Sequence, residues 1–134
     1  MRVLALLPLL ALAACGEQPK PPAAPTLTPA QREVASVAEA FVQALGRRDW
    51  SSACATRSYD DHLALAQESG TCERALELAF KSKDVALVAR TVAGKVAIDG
   101  DKAVIDMVQR GTKRTRVRLY AVREGGRWLL QDPR

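Results

Sequence analysis

The stretch TVAGKVAIDGDKAVIDMVQRGTKRTRVRLYAVREGGRWLLQ, Thr91–Gln131, decides the fold. Its apolar residues alternate with polar ones, the period of a strand with one buried face. Asp99-Gly100 and Gly125-Gly126 are hairpin signals, and a longer turn runs over Arg110 to Arg114. With Asp99-Gly100 as a two-residue turn, Val92, Gly94 and Val96 share a face with Ala103, Ile105 and Met107. With Gln109 opposite Thr115, that face continues through Val117, Leu119 and Ala121, and the Gly125-Gly126 turn adds Trp128 and Leu130. Three turn choices made separately give one apolar face, and a one-residue slip would break it, so the spacing predicts an antiparallel meander. The same register sets Asp106 against Arg118 on the opposite face. The two-residue period is expected from Val85 onward.

Upstream the period is helical. In TPAQREVASVAEAFVQALGRRDW, Thr28 stands as an N-cap, Pro29 at the first helical position and Gln31 three residues after the threonine, a capping box. Val34, Val37, Ala38, Phe41 and Leu45 form the apolar stripe, and Gly46 is the expected stop. Asp49 caps a short second helix through Trp50, Ala53 and Cys54. Ser58 and Thr71 cap two more over 59–68 and 72–82, the last expected to bury Leu76, Ala79 and Phe80. Helices first and then a curved antiparallel sheet make an α+β fold, and 134 residues suffice for one such domain.

The chain opens with MRVLALLPLLALAAC: one cation at Arg2, an apolar centre and two small residues before Cys15. That is the layout of a secretory signal, and the run is shorter than the roughly 20 apolar residues of a membrane-crossing helix. Leu12-Ala13-Ala14-Cys15 resembles the lipobox of bacterial lipoproteins. The resemblance implies a signal peptide over 1–14 and lipidation of Cys15 by fatty acid such as palmitate. It implies a membrane partner through that anchor: the periplasm-facing outer membrane in a Gram-negative source, or the outer face of the cytoplasmic membrane in a Gram-positive one. Each buried CH2 of the lipid contributes about 0.8 kcal/mol, so more than one acyl chain is needed to hold the protein. Residues 16–28, GEQPKPPAAPTLT, carry four prolines and no apolar period. They read as a tether reaching at most about 40 Å, and the domain is expected over 29–134.

VAEAFVQALGRRDWSSAC and the closing VREGGRWLL resemble the nuclear transport factor two-like superfamily, which includes ketosteroid isomerases and polyketide cyclases. The resemblance covers about residues 29 to 131 and implies a cone-like fold. Cys54 and the SGTCERAL segment around Cys72 look like a group of secreted, often lipid-anchored bacterial members. With Cys15 lipidated, Cys54 and Cys72 are the remaining thiols, and an exported protein meets conditions that permit a disulfide. The alternatives are two buried free cysteines or half of a metal site. His62 is the one histidine and a zinc site wants four ligands, so neither a metal nor another cofactor is expected.

Tyr59, Asp60, Asp61 and His62 have the residue types for acid-base work. At helical spacing, however, Tyr59, His62 and Leu63 share a face while Asp60 and Asp61 point elsewhere, and acidic residues in a first turn are ordinary partners of the helix dipole. Catalysis of the ketosteroid isomerase kind needs a carboxylate base and an acidic donor converging inside the cone. The residues expected to line it, Phe41, Ile105, Met107, Val117, Leu119, Trp128 and Leu130, include no carboxylate. The expected function is therefore a non-catalytic binding domain for a small apolar ligand or an envelope protein. The alternative is an isomerase or cyclase-like enzyme using Tyr59, Asp60 or Asp61, and His62. The superfamily resemblance adds a homodimer through the sheet. A formal charge of +5 is modest, and the basic run Arg110, Lys113, Arg114, Arg116 and Arg118 lacks interleaved aromatics, so no nucleic acid is expected. That run could meet anionic headgroups or cell-wall polymers, although such runs are usually solvated turns that protect a sheet edge.

Overall fold

The computed structural model describes Gly16 and residues 26–133. The expected signal peptide, the lipidated Cys15 and most of the tether lie outside the described residues. No helix among the described residues is long and apolar enough to cross a membrane.

Five helices precede four strands: α1 Pro29–Gly46, α2 Trp50–Ala55, α3 Tyr59–Ser69, α4 Cys72–Phe80, α5 Val85–Ala89, β1 Thr91–Asp99, β2 Lys102–Gln109, β3 Thr115–Glu124 and β4 Arg127–Leu130. The strands form one open antiparallel sheet in chain order. The fold is thus α+β, with the helices N-terminal to the sheet.

Local chemistry starts each helix. The Thr28 hydroxyl accepts from the Gln31 N–H while the Gln31 side chain accepts from the Thr28 N–H, which satisfies two orphan donors of α1. Gln31 also donates to the Val96 carbonyl at 2.9 Å, tying the helix start to β1. Asp49, Ser58 and Thr71 cap α2, α3 and α4. The buried stripe of α1 is wider than its heptad-like core: Ala35, Val42 and Ala44 join Val34, Ala38, Phe41 and Leu45, while Val37 is half-buried. The extra width arises because α2 and α5 pack on α1 beside the sheet. In α4 the inward residues are Cys72, Ala75 and Leu76; Ala79 is exposed and Phe80 half-buried, contrary to the expected face.

Two expectations for the C-terminal half need correction. Residues Val85–Ala89 are helical, capped by Asp84, and do not begin the sheet. A Cβ on Gly46 would overlap the Ala89 Cβ, so this glycine lets α5 lie directly on the end of α1. The first hairpin turns at Gly100 and Asp101, since Asp99 pairs with Lys102. Gly100 takes the positive φ of 57° that the first loop position of such a turn demands.

A bulge between Ala93 and Val96 then shifts the register, so Ala93 faces Met107 and packs on the core, whereas Gly94 lies against Val108 on the other face. The second hairpin follows the expected register from Lys102↔Val122 to Met107↔Val117, including Asp106↔Arg118. A second irregularity pairs Val108, and not Gln109, with Thr115. Glu124 pairs with Arg127 across Gly125-Gly126, which seats Trp128 and Leu130 in the core.

The free edge of β4 is covered by the α2–α3 link. Ser58 N–H donates to the Leu130 carbonyl and Leu130 N–H to the Thr56 carbonyl, both at 2.7 Å. This pairing draws Arg57 inward. The sulfurs of Cys54 and Cys72 lie 2.06 Å apart, a disulfide joining α2 to the first turn of α4.

Candidate functional site

The sequence's acid-base cluster falls into two pairs. Tyr59 is 71% exposed, and its N–H donates to Glu124 Oε2. Asp60 is exposed and lines a shallow surface hollow with Leu63, Ala64 and Gln67. Asp61 is buried and His62 half-buried, while Tyr59 and Leu63, the residues expected to share a face with His62, are exposed.

The inward pair does not converge. Asp61 Oδ2 lies 2.8 Å from an Arg57 guanidinium nitrogen and accepts the Asp132 N–H at 2.8 Å. The same guanidinium nitrogen reaches Asp132 Oδ1 at 2.7 Å, and the group stands over the Phe41 ring at 5.6 Å. His62 Nε2 instead lies 2.6 Å from the Cys54 carbonyl. A carbonyl can only accept, so Nε2 carries the proton and donates it. Each group therefore serves a structural bond: Asp61 holds the link before α3 and the chain after β4, and His62 holds α3 on α2. Arg57 was the missed member. Its only signal in the sequence is the i,i+4 spacing to Asp61 across the Ser58 cap.

The residues expected to line a pocket are mostly interior packing. Ile105 and Met107 have no exposed surface, and Leu130, Phe41 and Trp128 are buried with them. Leu119 is half-buried and packs on this cluster. Val117 also packs there and borders a cleft of about 300 Å3 with Leu87, Arg90, Gln109 and Arg116. Trp128 borders a surface groove with Pro29 and Arg127. Phe41, Ile105, Met107, Leu119 and Leu130 border none of these hollows. Among the described residues, no three His, Cys, Asp or Glu side chains are grouped so as to hold a metal ion.

The basic run is exposed at one end of the sheet. Thr112 N–H donates to the Gln109 carbonyl and Gln109 N–H to the Arg114 carbonyl, closing the turn, while Gly111 takes a φ of 79°. Arg116 donates twice to Gln109 Oε1, and Arg118 meets Asp106 Oδ1 at 2.7 Å. That hydrogen bond and the carboxylate's charge raise the Arg118 pKa above its ordinary value. Arg110, Lys113 and Arg114 form no ion pair among the described residues. Beside them a hollow of about 750 Å3 lies over the outer face of the sheet, bordered by Leu27, Gln31, Gly94, Lys95, Val108 and Lys113.

Comparison with models of known families, with curated proteins and with solved structures gives no match to this chain.

Proposed function

We propose that the chain is a cell-envelope lipoprotein, anchored through Cys15, whose nuclear transport factor two-like, cone-type domain is a non-catalytic binding module that engages a protein partner on its surface. The observation that carries the binding half is the packing of the inner face. Ile105, Met107 and Leu130 fill the space between helices and sheet. A ligand cavity needs several hundred Å3 of open, concave volume, so an interior so filled favours the protein partner over the small apolar ligand. The isomerase or cyclase alternative needs Asp60 or Asp61 to address one substrate with His62; Asp60 is exposed, while Asp61 turns inward to Arg57 and His62 to the Cys54 carbonyl.

The outer face of the sheet is where a partner, or a second copy, would sit. Val104 pairs with Tyr120, and Val122 with Leu129, so apolar side chains lie side by side on the face the helices leave uncovered. Anchorage and contact are tested together in the producing cell. Labelled palmitate should enter the wild-type chain and not Cys15→Ser. A photo-crosslinker at Tyr120 should give a discrete adduct, a dimer or one partner, that Val104→Glu abolishes. Label retained by Cys15→Ser overturns the anchor, and adducts indifferent to Val104→Glu overturn the outer-face contact.

A further inference from the structure

The chain enters the folded domain beside its most basic end. Thr26 and Leu27 border the same hollow as Lys95, Thr112 and Lys113. From Met107 to Arg123 the sequence holds no carboxylate and includes Arg110, Lys113, Arg114 and Arg116. The strand pairing places Arg90 at this end too, where its carbonyl accepts the Arg110 N–H at 3.2 Å. Carboxylates do border the region: Asp106 is engaged by Arg118, Glu39 accepts the Ala93 N–H, and Asp84 lines the cleft with Arg90 and Arg116. On that cleft's rim Leu87 is 56% exposed, an apolar side chain among cations.

We propose that this end, the Arg110–Arg114 turn flanked by Lys95, Arg90, Arg116 and Leu87, is a docking surface for the anionic phospholipid headgroups of the membrane that holds the chain. The inference rests on the anchored reading proposed above. A tether of at most about 40 Å that joins the domain next to Lys113 keeps this end at high effective concentration near the bilayer. Screening confines the attraction to about 8 Å at physiological salt, so the cations act once the turn is close. Each then improves partitioning about fivefold. The exposed Leu87 favours a bilayer over a soluble polyanion, because a headgroup layer offers apolar depth and a polymer does not.

Hydrogen exchange on the full chain tests this, with the chain reconstituted on vesicles of phosphatidylcholine alone or with phosphatidylglycerol added. On the anionic vesicles, exchange across 109–116 should slow at least about fivefold. The slowing should vanish near 1 M salt, where the screening length is about 3 Å. The triple variant Arg110→Gln, Lys113→Gln, Arg114→Gln should exchange at the phosphatidylcholine rate. Unchanged protection of the Ile105 and Met107 amides in the same data shows that the variant is folded. Equal exchange on the two vesicles overturns the proposal. So does equal slowing on phosphatidylcholine by a soluble glycerol phosphate polymer, which would assign the surface to that polymer. Failure of the anchored reading shows separately, as fatty-acid label missing from Cys15 of the wild-type chain.

Discussion

The guanidinium of Arg57 and the carboxylate of Asp61 meet at 2.8 Å with both side chains more than nine-tenths buried. The pair lies where the α2–α3 link covers the edge of β4, and Asp132 closes it from the C-terminal side. Removing one partner of a buried pair strands the other charge, which costs about 3–5 kcal/mol. Asp132 is 65% exposed and still reaches Arg57, so Asp61→Asn should fall at the lower end, about 3 kcal/mol. The double variant Arg57→Met, Asp61→Leu strands no charge and should be more stable than Asp61→Asn. Urea denaturation of the three proteins checks the order. A double variant less stable than Asp61→Asn would mean that the pair contributes through its own attraction.

The Cys54–Cys72 bond closes a segment of 18 residues. In the chain-entropy account such a closure stabilises by about 3 kcal/mol, a large part of the net stability of a small domain. The variant Cys54→Ala, Cys72→Ala should lose about that amount. It should keep α3 on α2, because His62 bonds the Cys54 backbone and not its sulfur. Alkylation of the unreduced folded protein should find neither thiol, and two modified cysteines would remove the assignment.

What could be read from the residues and what could not divide along sequence distance. The Thr28–Gln31 box and the caps Asp49, Ser58 and Thr71 were legible because donor and acceptor lie within one turn. Asp106↔Arg118 was legible because turn length sets register. Helix α5 was not, since VALVA is too short to show a period and its β-branched residues read as strand. Its helix owes its place to Asp84 and to the missing side chain at Gly46, which is a tertiary fact. The bulge at Gly94 was hidden for a similar reason: an alternating strand reads equally well in either phase. Asp61 read as a helix-dipole partner because the N–H that it accepts from outside its own helix belongs to Asp132, 71 residues away.

Asp49 makes α2 sensitive to acid. Its carboxyl pKa is lowered from 3.8, first by the side-chain hydrogen bond with Ser52 and then by the Ser52 backbone N–H. A depressed folded value means stability that is complete above the unfolded value and is lost as pH falls through the folded one. Asp49→Asn keeps an acceptor at the cap and removes the titration. Its stability should therefore follow a flatter course than wild type below pH 3.8, while the two run parallel near neutrality. Thermal melts from neutral pH downward decide this, and identical slopes in acid would show that the cap carries no charge-dependent part.

Gly94 marks the place where the first strand changes face. A Cβ there would stand 2.8 Å from Val108 Cγ1 and 3.2 Å from the Asp106 carbonyl oxygen. Valine is stiff at χ1, so the clash is not relieved by swinging the side chain away. Gly94→Ala should cost about 1–3 kcal/mol as an overpacked contact. Val108→Ala removes the atoms in the way at 2.8 and 3.3 Å, leaving the carbonyl contact alone. The double variant Gly94→Ala, Val108→Ala should thus be more stable than the sum of the two single losses predicts, with an interaction energy of about 1 kcal/mol. Denaturant midpoints of the four proteins close the cycle. Strict additivity would mean that glycine is required for the backbone of the bulge, not for the room it leaves Val108.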